Sequence, residues 1–404
     1  MPVAAVTGLG AVTALGPDVA SLAAGLAEGR CAIGPLTLFE HGGRCRIAAE
    51  VPDLPASASH GLPPATARRL SRSDRLALAA AAEACRHAGL EPPERAGVAV
   101  YVGASVGGMH EAEAAWRRRR TGADHRWRLS RLVATPVAVS AAVVSQALGL
   151  FGPRATFSTA CSSSALAVAE AAAAIGRGRM RVALALGTDG LCRLTYAGFD
   201  ALQALDPAPC RPFAADRAGL SLGEGAGALV VEDLEHARAR GARILALVLG
   251  AGIAADAHHP TAPHPEGAGA LRALRAALDA AGVTPEAVDY VNAHGTGTRQ
   301  NDAVEVGVLR TVLGTRLRRV PVSSTKSQLG HTLAAAGAIE AVVTVLALET
   351  GLLPPTVNLR TPEPAWGDVD FVPVPGRRQP LRIALSSSYG FGGHDVTLVL
   401  ARAR

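Results

Sequence analysis

Val182-Ala-Leu-Ala-Leu-Gly187, followed later by Gly225-Ala-Gly-Ala-Leu-Val-Val231, is echoed near the far end of the chain by Ile383-Ala-Leu-Ser-Ser387 and Gly392-Gly-His-Asp-Val-Thr-Leu-Val399. Each pair consists of two apolar runs of strand length, the second entered or left through glycine. The repetition predicts two halves of similar build that meet near residue 250, divided as 1–248 and 249–404. Further β-type runs lie at 3–6, 98–103, 155–159, 244–249, 288–293 and 320–324. Alanine-rich helical stretches at 74–88, 162–175, 267–281 and 333–350 separate most of them. Strands alternating with helices argue an α/β fold with largely parallel sheets covered on both faces.

Composition bounds the function. A chain of 404 residues, 49% hydrophobic, exceeds the usual size of a single core. Aromatic residues make up only 3%, so helix faces must pack through Ala, Val and Leu. The most apolar helical stretch, 333–348, carries Gly337 and Glu340 and reads as a core helix, not a membrane span. The N-terminus opens a strand with no basic region before it, so no signal peptide is expected. Cys31, Cys45, Cys85, Cys161, Cys192 and Cys210 show no metal-binding spacing, and a reduced cytoplasmic setting fits them. The net charge is +6. Its arginines cluster at Arg68, Arg69, Arg72 and Arg75, and again at Arg117 to Arg120 with Arg126, Arg128 and Arg131. No recognisable nucleic-acid-binding motif accompanies them. An acidic protein partner is the better reading, since such charge steers association. Pro- and Gly-rich stretches at 52–64 and 258–269 read as surface or active-site loops.

Arg154-Ala-Thr-Phe-Ser-Thr-Ala-Cys161 reads as a short strand that turns into the helix beginning Ser162-Ser-Ser-Ala. A thiol there meets unpaired N–H groups and the positive end of the helix dipole. Such sites lower a cysteine from about 8.5 into a range of roughly 3.5–7.5. A lone cysteine is otherwise most often a buried structural residue. Three distant segments favour the reactive reading. Asp289-Tyr-Val-Asn-Ala-His294-Gly-Thr-Gly-Thr298 delivers a histidine from a strand into a Gly/Thr loop. Val320-Pro-Val-Ser-Ser-Thr-Lys326-Ser-Gln-Leu-Gly-His331 repeats that design. A thiolate suits acyl transfer, and neutral imidazoles suit an oxyanion or enolate. Lys326 is the only lysine here, and if buried it needs a carboxylate, for which Asp302 and Glu305 are candidates. The fourth segment, Ser386-Ser-Ser-Tyr-Gly-Phe391-Gly-Gly393, is a strand entering a turn whose glycines permit positive φ and close backbone approach.

At these residues the chain resembles the β-ketoacyl-acyl carrier protein synthases, or ketosynthases, of the elongating type II family. Thr159-Ala-Cys-Ser-Ser-Ser164, Asn292-Ala-His-Gly-Thr-Gly-Thr298, Ser324-Thr-Lys-Ser-Gln-Leu-Gly-His331 and Gly390-Phe-Gly-Gly393 match its four active-site motifs in order. Val6-Thr-Gly-Leu-Gly-Ala-Val-Thr13, Arg211-Pro-Phe213 and Gly223-Glu-Gly-Ala-Gly227 match as well, so the resemblance runs from about residue 3 to residue 400. It implies a thiolase-type fold, duplicated αβ halves in a five-layer αβαβα sandwich. Thiolases carry a second cysteine at the Gly-rich turn, which is absent here. Initiating and chalcone-type enzymes have Asn where this chain has His331. Chain-length factors lack the nucleophile that Cys161 would be.

The resemblance implies decarboxylative Claisen condensation without metal or organic cofactor. Cys161 would take the acyl chain, with an oxyanion held by N–H groups of Cys161 and Phe391, and Phe391, Gly392 and Gly393 forming the gating turn. His294 and His331 would hold the enolate, with Lys326 paired to Glu305 and with Asp302 and Glu340 in support. Thr296 and Thr298 would bind the pantetheine arm, and Val106, Met109 and Phe199 would line the acyl pocket. Arg68, Arg69, Arg72 and Arg211 would dock the acidic acyl carrier protein. The enzyme would be a homodimer, or a heterodimer with a chain-length-factor-like subunit, without nucleic acid or membrane partners. Gly187-Thr-Asp-Gly-Leu-Cys-Arg-Leu-Thr195, Tyr389 and His394-Asp395 depart from housekeeping fatty-acid enzymes and resemble polyene-type ketosynthases. Fatty-acid elongation is the alternative within the class, and a non-catalytic assembly subunit is the alternative outside it.

Overall fold

A computed structural model describes residues 3–52, 54, 62–122 and 132–403. Arg126, Arg128, Arg131 and most of the 52–64 loop lie outside the described residues. Ten strands form the main sheet: β1 (Ala4–Thr13), β2 (Ala99–Gly103), β3 (Arg154–Phe157), β4 (Val182–Asp189), β5 (Gly225–Asp233), β6 (Ala246–Ala255), β7 (Tyr290–Asn292), β8 (Val322–Ser323), β9 (Ile383–Gly390) and β10 (His394–Arg402). Their order is β8-β7-β9-β10-β6-β1-β5-β4-β2-β3.

That order contains the duplication. The first five strands run β3-β2-β4-β5-β1, and the last five run β8-β7-β9-β10-β6, the same permutation with the same strand directions. The two runs join only where Ala4 to Val6 pair antiparallel with Ala246 to Val248. The 248/249 division falls inside β6, which pairs with β10 and belongs wholly to the second run. The sequence echo between 182–231 and 383–399 is the equivalence of β4-β5 with β9-β10.

The sheets are mixed, which corrects the expectation of largely parallel strands. In each half the first three crossovers are parallel and the last strand turns back antiparallel on its predecessor. Fully buried antiparallel strands read as continuous apolar runs, as parallel ones do, so composition did not separate them. The helix Arg72–His87 covers β1, β4 and β5 from outside, and Ala268–Ala281 covers β6 and β10. Ser163–Gly176 and Ala336–Thr350 lie between the halves and pack on strands of both, completing five layers. These two central helices come close enough that a Cβ on Gly337 would lie 2.5 Å from the Ala165 nitrogen. A chain poor in aromatics fits such narrow spacing. The apolar segment Leu333–Thr350 is 83% buried in this layer, the place of a core helix.

Candidate active site

Cys161 sits in the 3-10 turn Ala160–Ser162, between the end of β3 and the central helix Ser163–Gly176. Ala160, immediately before it, has φ of 52°, a left-handed conformation that a non-glycine residue holds only under constraint. Ser163 supplies that constraint: its hydroxyl accepts from Thr159 N–H (2.9 Å) and donates to the Ala160 carbonyl. The turn 390–393 closes over the thiol. A Cβ on Gly390 would lie 2.7 Å from the Thr159 oxygen and 3.3 Å from the Cys161 nitrogen, so only glycine fits. Gly392 and Gly393 have φ of 84° and 72°. Phe391 N–H donates to the Cys161 sulfur, and its ring stacks on Phe199 at 5.5 Å.

The thiol is not the depressed one expected from its place before a helix. Burial pushes Cys161 up to about 11, against the downward pull of Phe391 N–H and the charge of Lys326. The side chain is enclosed, and desolvation outweighs both.

The two histidines arrive from the second half of the sheet. His294 follows β7, and Glu305 clamps its loop by accepting from His294 N–H (2.7 Å) and Gly295 N–H (2.7 Å). Asp302 clamps the next turn through Phe213 N–H (2.8 Å) and Gly297 N–H (3.2 Å). His331 is fixed by its backbone, whose N–H donates to the Ser221 carbonyl at 2.7 Å. The imidazole rings stand edge to face, 5.4 Å apart. His294 Nδ1 receives Lys326 Nζ at 3.2 Å, and His331 Nδ1 receives Leu333 N–H at 3.2 Å. Each ring therefore carries its proton on Nε2. The Nε2 of His331 is buried with no partner among the described residues. Burial and the Lys326 charge hold both rings well below the usual imidazole range, so both are neutral donors.

Lys326, the only lysine in the sequence, is 2% exposed and ion-paired with Glu340. This corrects the expected pairing with Glu305, whose two oxygens are taken by the His294 loop. Glu340 reaches the ammonium from the central helix Ala336–Thr350. Burial pushes both carboxyls up to about 7, with the ammonium pulling Glu340 back.

Cys161, His294, His331, Phe391, Thr296 and Thr298 line one cleft of about 370 Å³. Thr298 also caps the helix Arg299–Leu313 through Asn301 N–H (3.3 Å). Val106, Met109 and Phe199 pack together with Leu333 in an adjoining apolar cluster; of these four, Phe199 alone lines the cleft. Sequence reasoning passed over Asp189. It is fully buried and accepts from Val106 N–H (2.8 Å) and Ala334 N–H (2.9 Å), tying the Val106 turn to the segment after His331. A lone acid ending an apolar strand beside glycine was the available signal.

The arginines divide. Arg68 and Arg69 are exposed. Arg72 does not face outward as docking requires: its guanidinium pairs with the buried Glu224 at 2.6 Å and also donates to Val51. Arg211 is held between Asp206 (3.0 Å) and Asp216 (3.1 Å).

The beta-ketoacyl synthase N-terminal domain family matches residues 2–237, and its C-terminal domain family matches residues 245–360. The chain belongs to the β-ketoacyl synthase family. Nodulation protein E of Rhizobium meliloti strain 1021 is 41% identical over 399 residues, 97% of each chain. The 3-oxoacyl-[acyl-carrier-protein] synthase 2 of Synechocystis sp. is 38% identical over 98% of this chain and 97% of its own. The ishigamide ketosynthase/chain length factor structure superposes with a TM-score of 0.93 at 35% identity, covering all of both chains. This β-ketoacyl synthase is thus a condensing enzyme of the acyltransferase type with the thiolase-type fold.

Proposed function

We propose that the enzyme joins a Cys161-bound acyl chain to malonyl-acyl carrier protein with loss of carbon dioxide. The observation that carries this reading is the convergence of two Nε2–H donors and a buried thiol on one cleft. In the first half-reaction Cys161 attacks the thioester of an acyl carrier. The oxyanion is held by the N–H groups of Cys161 and Phe391, and the thiol proton ends on the leaving pantetheine sulfur. A buried neutral thiol suits this exchange, since no charge need wait in the closed site. In the second half-reaction malonyl-carrier loses its carboxylate, and His294 and His331 hold the enolate oxygen through Nε2–H. The enolate carbon attacks the Cys161 thioester, and the thiolate released takes up a proton. Lys326 fixes the His294 tautomer. Thr296 and Thr298 guide the pantetheine arm, while Arg68 and Arg69 meet the acidic carrier.

For the pathway we favour polyene or polyketide assembly with a chain-length-factor-like partner, supported by the ishigamide likeness and by Tyr389, His394 and Asp395. Strand β3 ends the sheet and Phe151 beside it is 75% exposed, an edge suited to a second subunit. Fatty-acid elongation is the second reading, favoured by the Synechocystis relative. Six free thiols suit a reducing cytoplasm. The test is incubation with malonyl-carrier and a panel of acyl-carriers, with and without a chain-length factor, followed by mass spectrometry. Acylated Cys161 and β-ketoacyl products are expected. An enzyme never acylated by any donor would overturn the reading.

A further inference from the structure

At the end of the sheet away from the cleft, the helix Ala268–Ala281 stops before it has covered all of β6. A Cβ on Gly250 would lie 2.6 Å from the Ala281 nitrogen, and Gly282 ends the helix with φ of 61°. Past that point β6 still holds Leu249 and Leu247, both only half-buried. They open into a cavity of about 640 Å³, whose walls include Val283, Ile383 and, from the first half, Leu234. That volume falls within the roughly 300–1,000 Å³ usual for small-molecule sites. The cavity shares no residue with the active-site cleft. Strand β10 runs from one to the other: Asp395 lines the cleft and Arg402 the cavity, about 23 Å apart at roughly 3.3 Å per residue.

Three arginines line this otherwise apolar space, Arg238, Arg382 and Arg402. Arg238 is ion-paired with Glu235 at 2.8 Å. Arg402 N–H donates to the Arg382 carbonyl at 2.9 Å, so these two are neighbours across the β9-β10 ladder. Both are exposed, and neither guanidinium has a partner among the described residues. Asp289, beside Arg382, accepts instead from the backbone N–H groups of Arg382 (2.8 Å) and Ile383 (3.1 Å). The exposed Arg243 and Arg318, by contrast, each reach an acid, Glu349 and Asp368. Like charges on neighbouring strands repel, and an anion held by both removes the repulsion. We propose that the cavity binds a long-chain fatty acid, its chain against Leu247, Leu249 and Ile383 and its carboxylate held by Arg382 and Arg402. A bare phosphate makes no use of the leucine walls, and a neutral chain makes none of the guanidinium pair. The site is independent of the chemistry at Cys161.

The probe is hexadecanoate, with a photoreactive analogue carrying a diazirine on its chain to map where it sits. Labelled peptides are expected from 234–249 and 382–403, besides any from the cleft. Arg382→Gln with Arg402→Gln removes the cross-strand repulsion as well as the charge, so the fold, the condensation rate and the cleft labelling should be kept. Labelling of the cavity peptides should fall by about tenfold or more, because the carboxylate has lost its charged donors. Hexadecanol should compete for the cavity far less well than hexadecanoate. Labels confined to the cleft peptides overturn the proposal. Cavity labelling that survives the double substitution, or that the alcohol displaces equally well, overturns it too. So does cavity labelling that fades as larger oligomers form, which would make this face a contact with a second copy of the chain.

Discussion

Lys326 Nζ stands 3.2 Å from His294 Nδ1, and the same ammonium is ion-paired with Glu340. One buried cation thereby sets the tautomer of a histidine from a neighbouring loop and neutralises an acid on the central helix. Lys326→Met is expected to destabilise the protein by about 3–5 kcal/mol, because Glu340 is left buried without its partner. Lys326→Met with Glu340→Leu should recover most of that stability, since an apolar pair replaces the ion pair. Malonyl decarboxylation should stay low in both, because His294 Nδ1 has lost its donor. Urea unfolding and carbon dioxide release separate the two effects. A double variant with restored decarboxylation would show that the ammonium does not orient the ring.

The thiol of Cys161 is expected to react as a buried neutral group. Below its raised value of about 11 the thiolate fraction grows with pH. Alkylation by iodoacetamide should therefore climb about tenfold per pH unit from neutral pH upward, without levelling off. A plateau near neutrality would mean that the helix terminus wins over burial. Cys161→Ala should abolish condensation. Cys161→Gln should retain malonyl decarboxylation, since its amide oxygen has the N–H groups of Cys161's position and Phe391 to receive it.

For His294→Ala and His331→Ala, acyl transfer to Cys161 is expected to survive while decarboxylation falls by roughly 10²-fold or more, the effect of deleting an oxyanion donor. The two half-reactions are read apart by intact mass and by carbon dioxide release. Loss of acylation with decarboxylation intact would reverse the assignment.

Charge reversal at the exposed Arg68 and Arg69 should slow turnover of carrier-bound substrates, more at low salt than at high salt. Substrates presented on free pantetheine should be unaffected. Equal turnover on the carrier at low salt would leave both as surface charges.

The strands and the four motif-bearing turns were legible because each pairs a continuous apolar run with a glycine-rich or Ser/Thr-rich turn. Glu340 was harder to assign as the Lys326 partner, because proximity in sequence to the His294 loop favoured Glu305. The actual partner comes from a helix that hides its buried acid, Glu340, among alanines and valines. Arg72 looked like its exposed neighbours, yet helix phase turns it onto Glu224. The helix terminus that follows Cys161 is plain in the sequence, but its effect on the thiol depends on enclosure by the 390–393 turn, which arrives from the other half of the chain.

Val106 sits 8% exposed in the apolar cluster with Met109, Phe199 and Leu333, behind the wall of the cleft that Phe199 and Phe391 form. Its N–H is fixed by Asp189, which also holds Ala334 N–H, so the side chain cannot shift without moving the segment after His331. An acyl chain growing past the stacked Phe199 and Phe391 rings is expected to enter this cluster. Val106→Phe adds bulk there and should shorten the longest chain accepted on Cys161 while acetyl and butyryl transfer proceed. Overpacking of a filled core costs about 1–3 kcal/mol, so a thermal melt must accompany the substrate panel. A folded variant with an unchanged chain-length profile would move the acyl pocket elsewhere, toward the sheet edge at β3 and a second subunit.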